Sequence, residues 1–283
     1  MKNEKEGGIF LLERDEMRTK HIFMHHTVGD TSTAVFDLHC HSLYEIVYFE
    51  DGDVVYLIEG KEYRPKPYSV LLIGPNVFHG VKIMSTMPYK RYVLHFSDEL
   101  LPEEIKKPLL SFYGANSGKI YYENINNFGL RQGYEAIFNC RSMPEDMRDM
   151  AISIAVQGLL TKLLFMSKTV DNTAPKGNIN TAVADMIIYL NENICAPVSL
   201  DFLSKKFYIS KHHLNKVFRK ATGTTVGKYI NYKRVTQAQQ LINKGYSASR
   251  AAIESGFGDY SSFYRAYTKL LGHVPSDDKS VLE

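Results

Sequence analysis

The second half of the chain contains short helical segments that follow one another with very few residues between them. Ser199 and Ser210 are suitable N-cap residues, and each precedes a run in which apolar residues recur at helical spacing. Because only Tyr208 and Ile209 separate the two predicted helices, the helices must cross steeply, as they do in a helix-turn-helix unit. Gly223 is a natural C-cap for the second helix. This spacing predicts a compact, all-helical domain.

The same arrangement recurs further along the chain. Ser247–Phe257 is predicted to form a short helix that stops at Gly256, and Asp259 can cap the helix that follows. Between the two pairs, Val226–Asn243 reads as an 18-residue helix, which corresponds to a length of about 27 Å. A rigid spacer of this length can place two recognition helices in successive major grooves of DNA, about 34 Å apart.

The outward positions of the second helix in each pair carry hydrogen-bond donors, which suit base edges and phosphates. These positions are Lys211, His212, Asn215, Lys216, Arg219 and Lys220 in the first pair, and Tyr260, Ser261, Tyr264, Arg265 and Lys269 in the second. The charge agrees with this interpretation, because 14 Lys and Arg stand against 8 Asp and Glu from residue 178 onward, compared with 20 against 23 before it. A basic second half favours a polyanion as partner.

The stretch from Asn180 to Lys279 resembles the DNA-binding domain of the AraC/XylS family of bacterial transcription regulators. The resemblance rests on Ser199-Leu200, Ser210 with Leu214 and Phe218, Thr222-Gly223, Tyr229-Ile230, Arg234, Ala238, Gly256-Phe257, Phe263 with Arg265, and Gly272 with Pro275. The chain departs from the family pattern after Pro275, where Asp278 and Lys279 stand in place of the usual Tyr-Arg.

The resemblance also implies which residues contact DNA. By position, base contacts are expected from His212, Asn215, Lys216, Tyr260, Ser261 and Arg265. Contacts to the DNA backbone, which position the domain without selecting a sequence, are expected from Lys211, Arg219, Lys220 and Lys269.

The first half reads as short β-strands up to about residue 97. The candidate strands, rich in β-branched and aromatic residues, are Leu43–Glu50, Val54–Glu59, Val70–Ile73 and Arg91–Phe96. Such short, closely spaced strands predict a small antiparallel barrel or sandwich, over about residues 20–98. From Pro102 to Lys168 the pattern turns helical, and the polar segment 168–178 reads as a linker.

The first sequence motif of cupin barrels matches the segment FDLHCHSLYEIVYFEDG. His39 and His41 are two residues apart and share a face on a strand, and Glu45 follows on that face. The second cupin motif is partial, because Pro75 precedes His79 by four residues rather than five and the glycine between them is absent. In a cupin barrel His79 would face the other three side chains, and three imidazoles with a carboxylate suit a first-row divalent metal.

Three interpretations of these residues stay open. The first is an effector pocket formed by His39, His41, Glu45, Tyr56 and His79, since barrels of this type are the usual sensory domains of AraC-like regulators. The second is a divalent metal held by the two motif histidines, the glutamate and His79, although no cofactor is required. The third is plain core packing. The many tyrosines of this half suit a sugar-like ligand, because each offers an apolar face and a hydroxyl.

Neither a disulfide framework nor a membrane anchor is expected. Only three cysteines occur, far apart in the chain, and the first residues lack the apolar core of a signal peptide, which favours the cytoplasm. The most apolar run, Met150–Phe165, contains Gln157 and Lys162 and is short for a membrane span. We predict that it forms a core helix, which a second subunit can share.

Together these features predict a two-domain α+β chain. A cupin-type antiparallel barrel with flanking helices at about 100–167 occupies residues 1–167, and an all-α domain with two helix-turn-helix motifs occupies residues 179–283. The first hypothesis is a DNA-binding transcription regulator that responds to a small-molecule effector and acts as a homodimer, with RNA polymerase as a further candidate partner.

The alternatives are a metal-dependent cupin enzyme carrying a DNA-binding domain, and a regulator that needs no effector. The chain contains neither a Ser/His/Asp arrangement nor a GxGxxG or GxxxxGK[ST] loop. Nucleotide hydrolysis is therefore not expected, and we predict that the chain is not an enzyme.

Overall fold

The computed structural model describes residues 5–6, 9–30, 38–113, 119–122, 128–170 and 181–278. Strands and a few helices make up the first part of the described chain, and only helices and loops occur among the described residues from 181 onward. The predicted fold class, a β domain with flanking helices followed by an all-α domain with two helix-turn-helix motifs, is confirmed.

The strands form two sheets that pack face to face. In chain order the strands are β1 (Lys5–Glu6), β2 (Ile9–Arg18), β3 (Ile22–Asp30), β4 (Tyr44–Asp51), β5 (Val54–Ile58), β6 (Lys61–Tyr63), β7 (Ser69–Ile73), β8 (His79–Ile83), β9 (Tyr89–Phe96) and β10 (Lys119–Tyr122). The larger sheet has the order β1-β2-β3-β9-β4-β7-β10, and the smaller has the order β6-β5-β8. All described pairings between these strands are antiparallel.

Alternation along β4 gives the larger sheet two buried faces. Val47 and Phe49 point toward the smaller sheet and pack with its residues, such as Tyr56. Ile46 and Tyr48 point the other way and pack against helices. The interior between the two sheets is therefore enclosed, as in a barrel.

Three helices cover the outer face of the larger sheet: α1 (Glu103–Leu110), α2 (Leu130–Asn139) and α3 (Glu145–Thr169). The hydroxyl of Tyr134 on α2 donates a hydrogen bond to the backbone oxygen of Ile46, at 2.9 Å, and so ties α2 to β4. The long helix α3 buries Ile152, Val156 and Leu160 in the same core. The apolar run of the sequence is thus a core helix, as predicted.

The length of α3 differs from the expectation. The helix has 25 residues and is long and apolar enough to cross a membrane, although the most apolar run alone is short for this. The extra turns come from Glu145–Asp149 and Met166–Thr169, which flank the apolar run on both sides. Because the chain packs this helix against the sheet and its neighbours, we interpret it as part of the domain core.

The second domain consists of α4 (Thr181–Glu192), α5 (Leu200–Lys206), α6 (Lys211–Thr222), α7 (Val226–Asn243), α8 (Ala248–Glu254) and α9 (Tyr260–Leu271). The predicted caps are confirmed. The hydroxyls of Ser199 and Ser210 and the carboxylate of Asp259 each accept a hydrogen bond from the backbone N–H three residues later. Gly223 ends α6 with a φ of 73°, a left-handed conformation that favours glycine.

The spacer helix α7 belongs to the cores of both helix-turn-helix units. Tyr229 packs with Leu214 and Phe218 of the first unit. One and a half turns later, Val235 packs with Phe263 and neighbouring residues of the second unit. Because one continuous helix contributes to both cores, the two units form a single rigid body.

Two boundaries differ from the sequence-based expectations. Strand β2 begins at Ile9, so the β region starts before residue 20. Lys119–Tyr122 forms strand β10 inside the region predicted to be helical, where it pairs with β7. The reason is tertiary, because β7 has an edge that an extended segment rich in Ile and Tyr can cover.

The linker prediction overlaps the end of α3. Lys168 and Thr169 continue that helix, and the Thr169 hydroxyl donates back to the carbonyl oxygen of Phe165 at 3.1 Å. Residues 171–178 of the predicted linker lie outside the described residues.

Candidate functional site

The strand register brings polar side chains together inside the barrel. Glu45 on β4 is the direct neighbour of His95 on β9, and both face the interior on the same side as Val47 and Val93. His39 lies outside the named strands and forms an isolated antiparallel bridge with His79, the first residue of β8, through two backbone hydrogen bonds of 2.9 Å. The bridge places the segment around residue 39 at the start of β8.

One oxygen of Glu45 is the centre of this arrangement. Its Oε2 atom lies 3.0 Å from Nε2 of His41, 2.8 Å from Nε2 of His79 and 3.5 Å from Nε2 of His95. The ring of His39 lies beside that of His79, with centroids 4.5 Å apart. We call these five residues, His39, His41, Glu45, His79 and His95, the barrel cluster.

The structure therefore brings together all four residues predicted from the cupin motifs and adds His95. Two groups of candidate ligand atoms result, one from His39, His41 and His79 and one from His41, Glu45 and His95, and within each group the atoms lie within 4.8 Å of one another. Sequence reasoning missed His95 because it lies in a regular strand with no motif around it. Only the pairing of β4 with β9 reveals it.

The outer nitrogens of two cluster histidines are fixed by the backbone. Nδ1 of His41 lies 3.0 Å from the carbonyl oxygen of Leu43, and Nδ1 of His79 lies 2.8 Å from that of Val77. Since a carbonyl oxygen can only accept, each Nδ1 must donate its proton there. Both rings are held so that Nε2 points at Glu45.

Burial and neighbouring charges shift the acid–base properties of the cluster. Burial lowers the pKa of His41 to about 4, although the contact with Glu45 opposes this. Burial also opposes the charge on His79, but the Glu45 carboxylate dominates and raises the pKa of that imidazole. Burial acts to raise the pKa of Glu45 itself, and the neighbouring His79 and His95 more than compensate, leaving it well below its usual value.

Tyr56, the fifth predicted pocket residue, lies elsewhere in the barrel interior. Its hydroxyl contacts the hydroxyl of Tyr89, and the pKa of Tyr56 is raised well above its usual value chiefly by burial. The Arg91 guanidinium lies 4.3 Å from the centroid of the Tyr89 ring and is itself buried. Tyr56 therefore belongs to a second polar group in the barrel, not to the barrel cluster.

The first candidate DNA-reading surface is the outer face of α6. His212, Lys216, Arg219 and Lys220 are exposed there, as predicted for contacts to DNA. Lys211 is also exposed, and its ammonium forms an ion pair with Asp201 on α5.

Asn215 differs from the other predicted residues of α6 because its side chain has a structural partner. Its Oδ1 atom accepts a hydrogen bond of 3.3 Å from the backbone N–H of Val226, the first residue of α7. The side chain is partly buried, and this bond ties α6 to the spacer helix. Its role in positioning the two helices is therefore visible without DNA.

The second candidate DNA-reading surface is the outer face of α9. Tyr260, Ser261, Arg265 and Lys269 are all exposed. Arg265 donates a hydrogen bond of 3.3 Å to the Ser262 hydroxyl, which also donates to the cap residue. The guanidinium is thus oriented on the first turn of the helix.

The two domains meet along one face of α7. Lys233 forms a buried ion pair with Glu59 of the barrel domain, and the Tyr229 hydroxyl donates to the same carboxylate at 2.5 Å. The carboxylate also accepts from the backbone N–H of Phe78, at 2.8 Å. Burial acts to raise the pKa of Glu59, but Lys233 dominates and holds it below the usual value.

Further along the same face, two more residues bind the barrel. The Thr236 hydroxyl lies 3.2 Å from the Cys40 sulfur, and Gln240 accepts a hydrogen bond from the Asn76 side chain at 2.8 Å. Residues 229, 233, 236 and 240 recur at helical spacing, so they share one side of α7. This junction was not predicted, because the barrel residues that these side chains contact are far away in the sequence.

Comparisons with known proteins agree with both domains. A family model described as "AraC-like ligand binding domain" matches residues 27–116, and one described as "Helix-turn-helix domain" matches residues 203–280. With the capped helix pairs and the enclosed barrel, these matches define a DNA-binding transcription regulator with a ligand-binding domain. More specifically, the chain belongs to the AraC family of transcription regulators.

The chain is also similar to a curated relative and to solved structures. The chain is 22% identical over 250 residues to the HTH-type transcriptional activator RhaR of Escherichia coli strain K12. This alignment covers 86% of each of the two chains. Among solved structures, ToxT from Vibrio cholerae O395 is 15% identical, with 95% of this chain and 98% of that chain covered and a TM-score of 0.39.

A solved DNA-binding domain aligns with about a third of the chain. The DNA-binding domain of AdpA, described as a global transcriptional factor in complex with a target DNA, is 23% identical. It covers 34% of this chain and 88% of that chain, with a TM-score of 0.33.

Proposed function

We propose that this regulator senses a ligand in its barrel and passes the signal to its DNA-binding domain through the face of α7 that packs on the barrel. The observation that carries the proposal is the position of the barrel cluster. His39 and His41 alternate in sequence with Leu38, Cys40 and Ser42, all of which lie against the second domain. A ligand that moves the cluster therefore also moves the residues on which α7 rests.

For DNA recognition, the proposal assigns base contacts to the exposed residues of α6 and α9 and phosphate contacts to their basic neighbours. Lys216→Ala and Arg265→Ala are expected to weaken specific binding by about 1–3 kcal/mol each and to relax base preference. Binding would be measured on duplexes selected from a random-sequence pool. Lys244→Ala, an exposed lysine beyond the end of α7, is the matched control.

Asn215 can be tested separately because it has a structural role. Asn215→Ala is expected to weaken binding to all sequences, since it loosens the contact between α6 and α7 as well as any base contact. Normal binding by both Lys216→Ala and Arg265→Ala would refute the assignment of the reading faces.

We further propose that the chain acts as a homodimer through α3. Its outer face exposes Met147, Met150, Ile154 and Phe165, with 62% of Ile154 accessible. These positions recur at spacings that place them along one side of the helix. Ile154→Glu is expected to raise the dimer dissociation constant in sedimentation equilibrium, whereas Asp149→Ala, an exposed residue on a different side of the same helix, serves as the control.

The remaining parts of the proposal concern the role of the chain in the cell. We propose that it activates transcription in the cytoplasm, in contact with RNA polymerase, as a regulator and not as an enzyme; RhaR is named as an activator. The tyrosine hydroxyls inside the barrel favour a sugar-like ligand.

Thermal unfolding against a panel of sugars and sugar acids tests the ligand response, because tight binding to the folded state raises the apparent stability. A Tyr56→Phe variant that loses the shift would support the barrel as the site. The affinity for selected DNA is then measured with and without each compound that shifts the stability. If no such compound changes this affinity, the chain is an effector-independent regulator and the sensing proposal fails.

A further inference from the structure

Arg91 places a positive charge inside the barrel, at a distance from the barrel cluster. It lies on β9 opposite Thr27 of β3 and Phe49 of β4, on the face that points into the barrel. Phe49 stands four residues after Glu45 on β4, which corresponds to about 13 Å along the strand. Arg91 and the barrel cluster therefore lie toward opposite ends of the barrel interior.

The guanidinium of Arg91 is buried without a counter-charge. The residue is only 8% exposed, and its Nη1 atom has no hydrogen-bond partner within the described part of the chain. No carboxylate among the described residues forms an ion pair with it. Glu45 instead contacts the imidazoles of His41 and His79. Because burying a cation without an anion destabilises a fold, this arrangement favours a role in binding over a role in packing.

Two further polar side chains on the same interior surface lack partners. The Thr27 hydroxyl and the Nδ1 atom of His25 are buried, and neither forms a hydrogen bond to any residue that the structure describes. Both residues lie on β3, where Thr27 is the direct neighbour of Arg91 and His25 that of Val93. Burial, followed by the charge of Arg91, lowers the pKa of His25 to about 2. Its ring is therefore neutral and offers one donor and one acceptor.

The aromatic residues beside Arg91 fix the plane of the guanidinium. Its Cζ atom lies 4.3 Å from the centroid of the Tyr89 ring, and the hydroxyl of Tyr89 contacts that of Tyr56. Both tyrosines are buried. Since the N–H groups of a guanidinium lie in its plane, stacking on one face leaves these donors available at the edge.

We propose that this group of residues binds the carboxylate of a small organic acid, and that such an acid is the effector of the regulator. We call the group, Arg91 with His25, Thr27, Tyr56 and Tyr89, the arginine group. A carboxylate matches a guanidinium because its two oxygens accept two parallel N–H bonds, and its single charge balances one arginine. A phosphate group carries about one and a half to two negative charges at pH 7, so part of its charge would stay unbalanced. A sugar-like compound fits only if it carries a carboxylate.

A connection from the arginine group to the second domain follows β5. Tyr56 lies on this strand, and Glu59, which forms the buried ion pair with Lys233 of α7, comes directly after it. An acid that reorients Arg91 and Tyr89 also shifts the Tyr56 hydroxyl, and with its strand the position of Glu59. This step rests on the proposed function, because it concerns the signal that passes through α7.

Stability without any ligand tests the unbalanced charge. Arg91→Met replaces the guanidinium by an apolar side chain, and we expect a higher urea midpoint because no cation is then left buried. Lys90→Met, at an exposed position of the same strand, is the control and should leave the midpoint unchanged. A lower midpoint in Arg91→Met would show that the guanidinium stabilises the barrel through its present contacts, and would overturn the proposal.

Matched pairs of compounds test the class of ligand. Thermal unfolding is measured at fixed ionic strength with galacturonate and galactose, lactate and lactamide, and benzoate and benzamide. The members of each pair differ mainly in the charged carboxylate. We expect at least one acid to raise the unfolding temperature and its neutral counterpart not to do so. Equal shifts with both members of a pair, or no shift with any of the acids, would overturn the carboxylate site.

Variants then locate the acid. Calorimetry with the acid that gives the largest shift is expected to show affinity at least about thirtyfold weaker in Arg91→Met, because a buried charge pair loses one partner. Arg91→Lys keeps the charge but loses the two parallel N–H groups, so it should also bind more weakly. Lys90→Met should bind as the natural chain does. Circular dichroism establishes that the variants fold, and unchanged affinity in folded Arg91→Met would place the acid elsewhere and overturn the proposal.

DNA binding separates the site from its regulatory role. Affinity for DNA selected from a random pool is measured with and without the acid, and we expect a change in the natural chain and none in Arg91→Met. An acid that binds at Arg91 without changing this affinity would refute the acid as an effector and the sensing function with it, while the binding site itself would stand. Failure to select any DNA would instead refute the proposed DNA recognition.

Discussion

Replacing Lys233 with methionine removes the cation from the buried pair that joins the two domains. Glu59 and Lys233 are each only 7% exposed, so the carboxylate would stay away from water without its counter-charge. Breaking a buried pair in this way costs about 3–5 kcal/mol. The carboxylate keeps hydrogen bonds from Tyr229 and Phe78, which places the expected loss near the lower end, about 3 kcal/mol.

The measurable consequence is a change in how often the domains separate. A loss of about 3 kcal/mol corresponds to a change of roughly a hundredfold in the docking equilibrium, at about 1.4 kcal/mol per tenfold. Hydrogen exchange of the peptide that contains Phe78 reports this equilibrium, because its backbone N–H donates to Glu59 at 2.8 Å. Urea unfolding of the full chain gives the change in the free energy of unfolding.

The double variant Lys233→Met with Glu59→Gln tests the reasoning. Because no charge is left buried, we expect it to recover most of the loss, with a coupling energy of about 0.5–3 kcal/mol between the two sites. Glu254→Gln, which breaks an exposed pair with Arg250 on α8, is the control and should cost under about 1 kcal/mol. Additive losses in the double variant, or a negligible loss in Lys233→Met, would refute the description of a buried, mutually dependent pair.

Three further predictions follow from the same structure. Since the pKa of Glu59 is lowered in the folded chain, its contribution to domain docking is present above the usual carboxyl pKa of about 4.3 and is lost as the pH falls through the lowered value. Protection of the Phe78 amide, corrected for the intrinsic exchange rate at each pH, should therefore decrease below about pH 4.3 and should not do so in Glu59→Gln. Ser210→Ala removes the N-cap of α6 and is expected to destabilise the chain by about 1 kcal/mol in urea unfolding; an unchanged midpoint would show that the cap contributes nothing. Gly256→Ala is expected to destabilise the folded chain by more than the roughly 1 kcal/mol cost of a left-handed alanine. The φ of Gly256 is 86°, and the added carbon would also lie 2.5 Å from the backbone oxygen of Cys195. An unchanged thermal unfolding temperature would contradict this.

The features that were predicted from the sequence are those with local causes. Ser199, Ser210 and Asp259 cap helices because a side-chain oxygen within three residues is all that a cap needs. The predicted bounds of the helix Val226–Asn243 are those found in the structure, because local residues set both ends: Thr225 is its N-cap and Lys244 its C-cap. The cupin motifs also predicted four members of the barrel cluster, although His39 and His41 lie before β4 and not in one strand with Glu45.

The features that were not predicted depend on residues far apart in the sequence. His95 joins the barrel cluster only because β9 pairs with β4, and nothing near His95 in the sequence indicates this. Strand β10 forms because it can pair with β7, across a stretch of helices. Lys233 lies in the predicted spacer helix, and only the contact with Glu59 from the other domain explains its burial.

The burial of one carboxylate at the domain junction also limits how the two halves can move. A displacement of an ångström or two would separate Glu59 from Lys233 while both are still shielded from water, and that intermediate is costlier than either the closed or the fully open arrangement. Gradual slippage is therefore disfavoured, and the chain should pass between two discrete geometries. Since α7 carries both helix-turn-helix units, each passage reorients the two units together, so occupancy of the two successive major grooves should rise and fall in step.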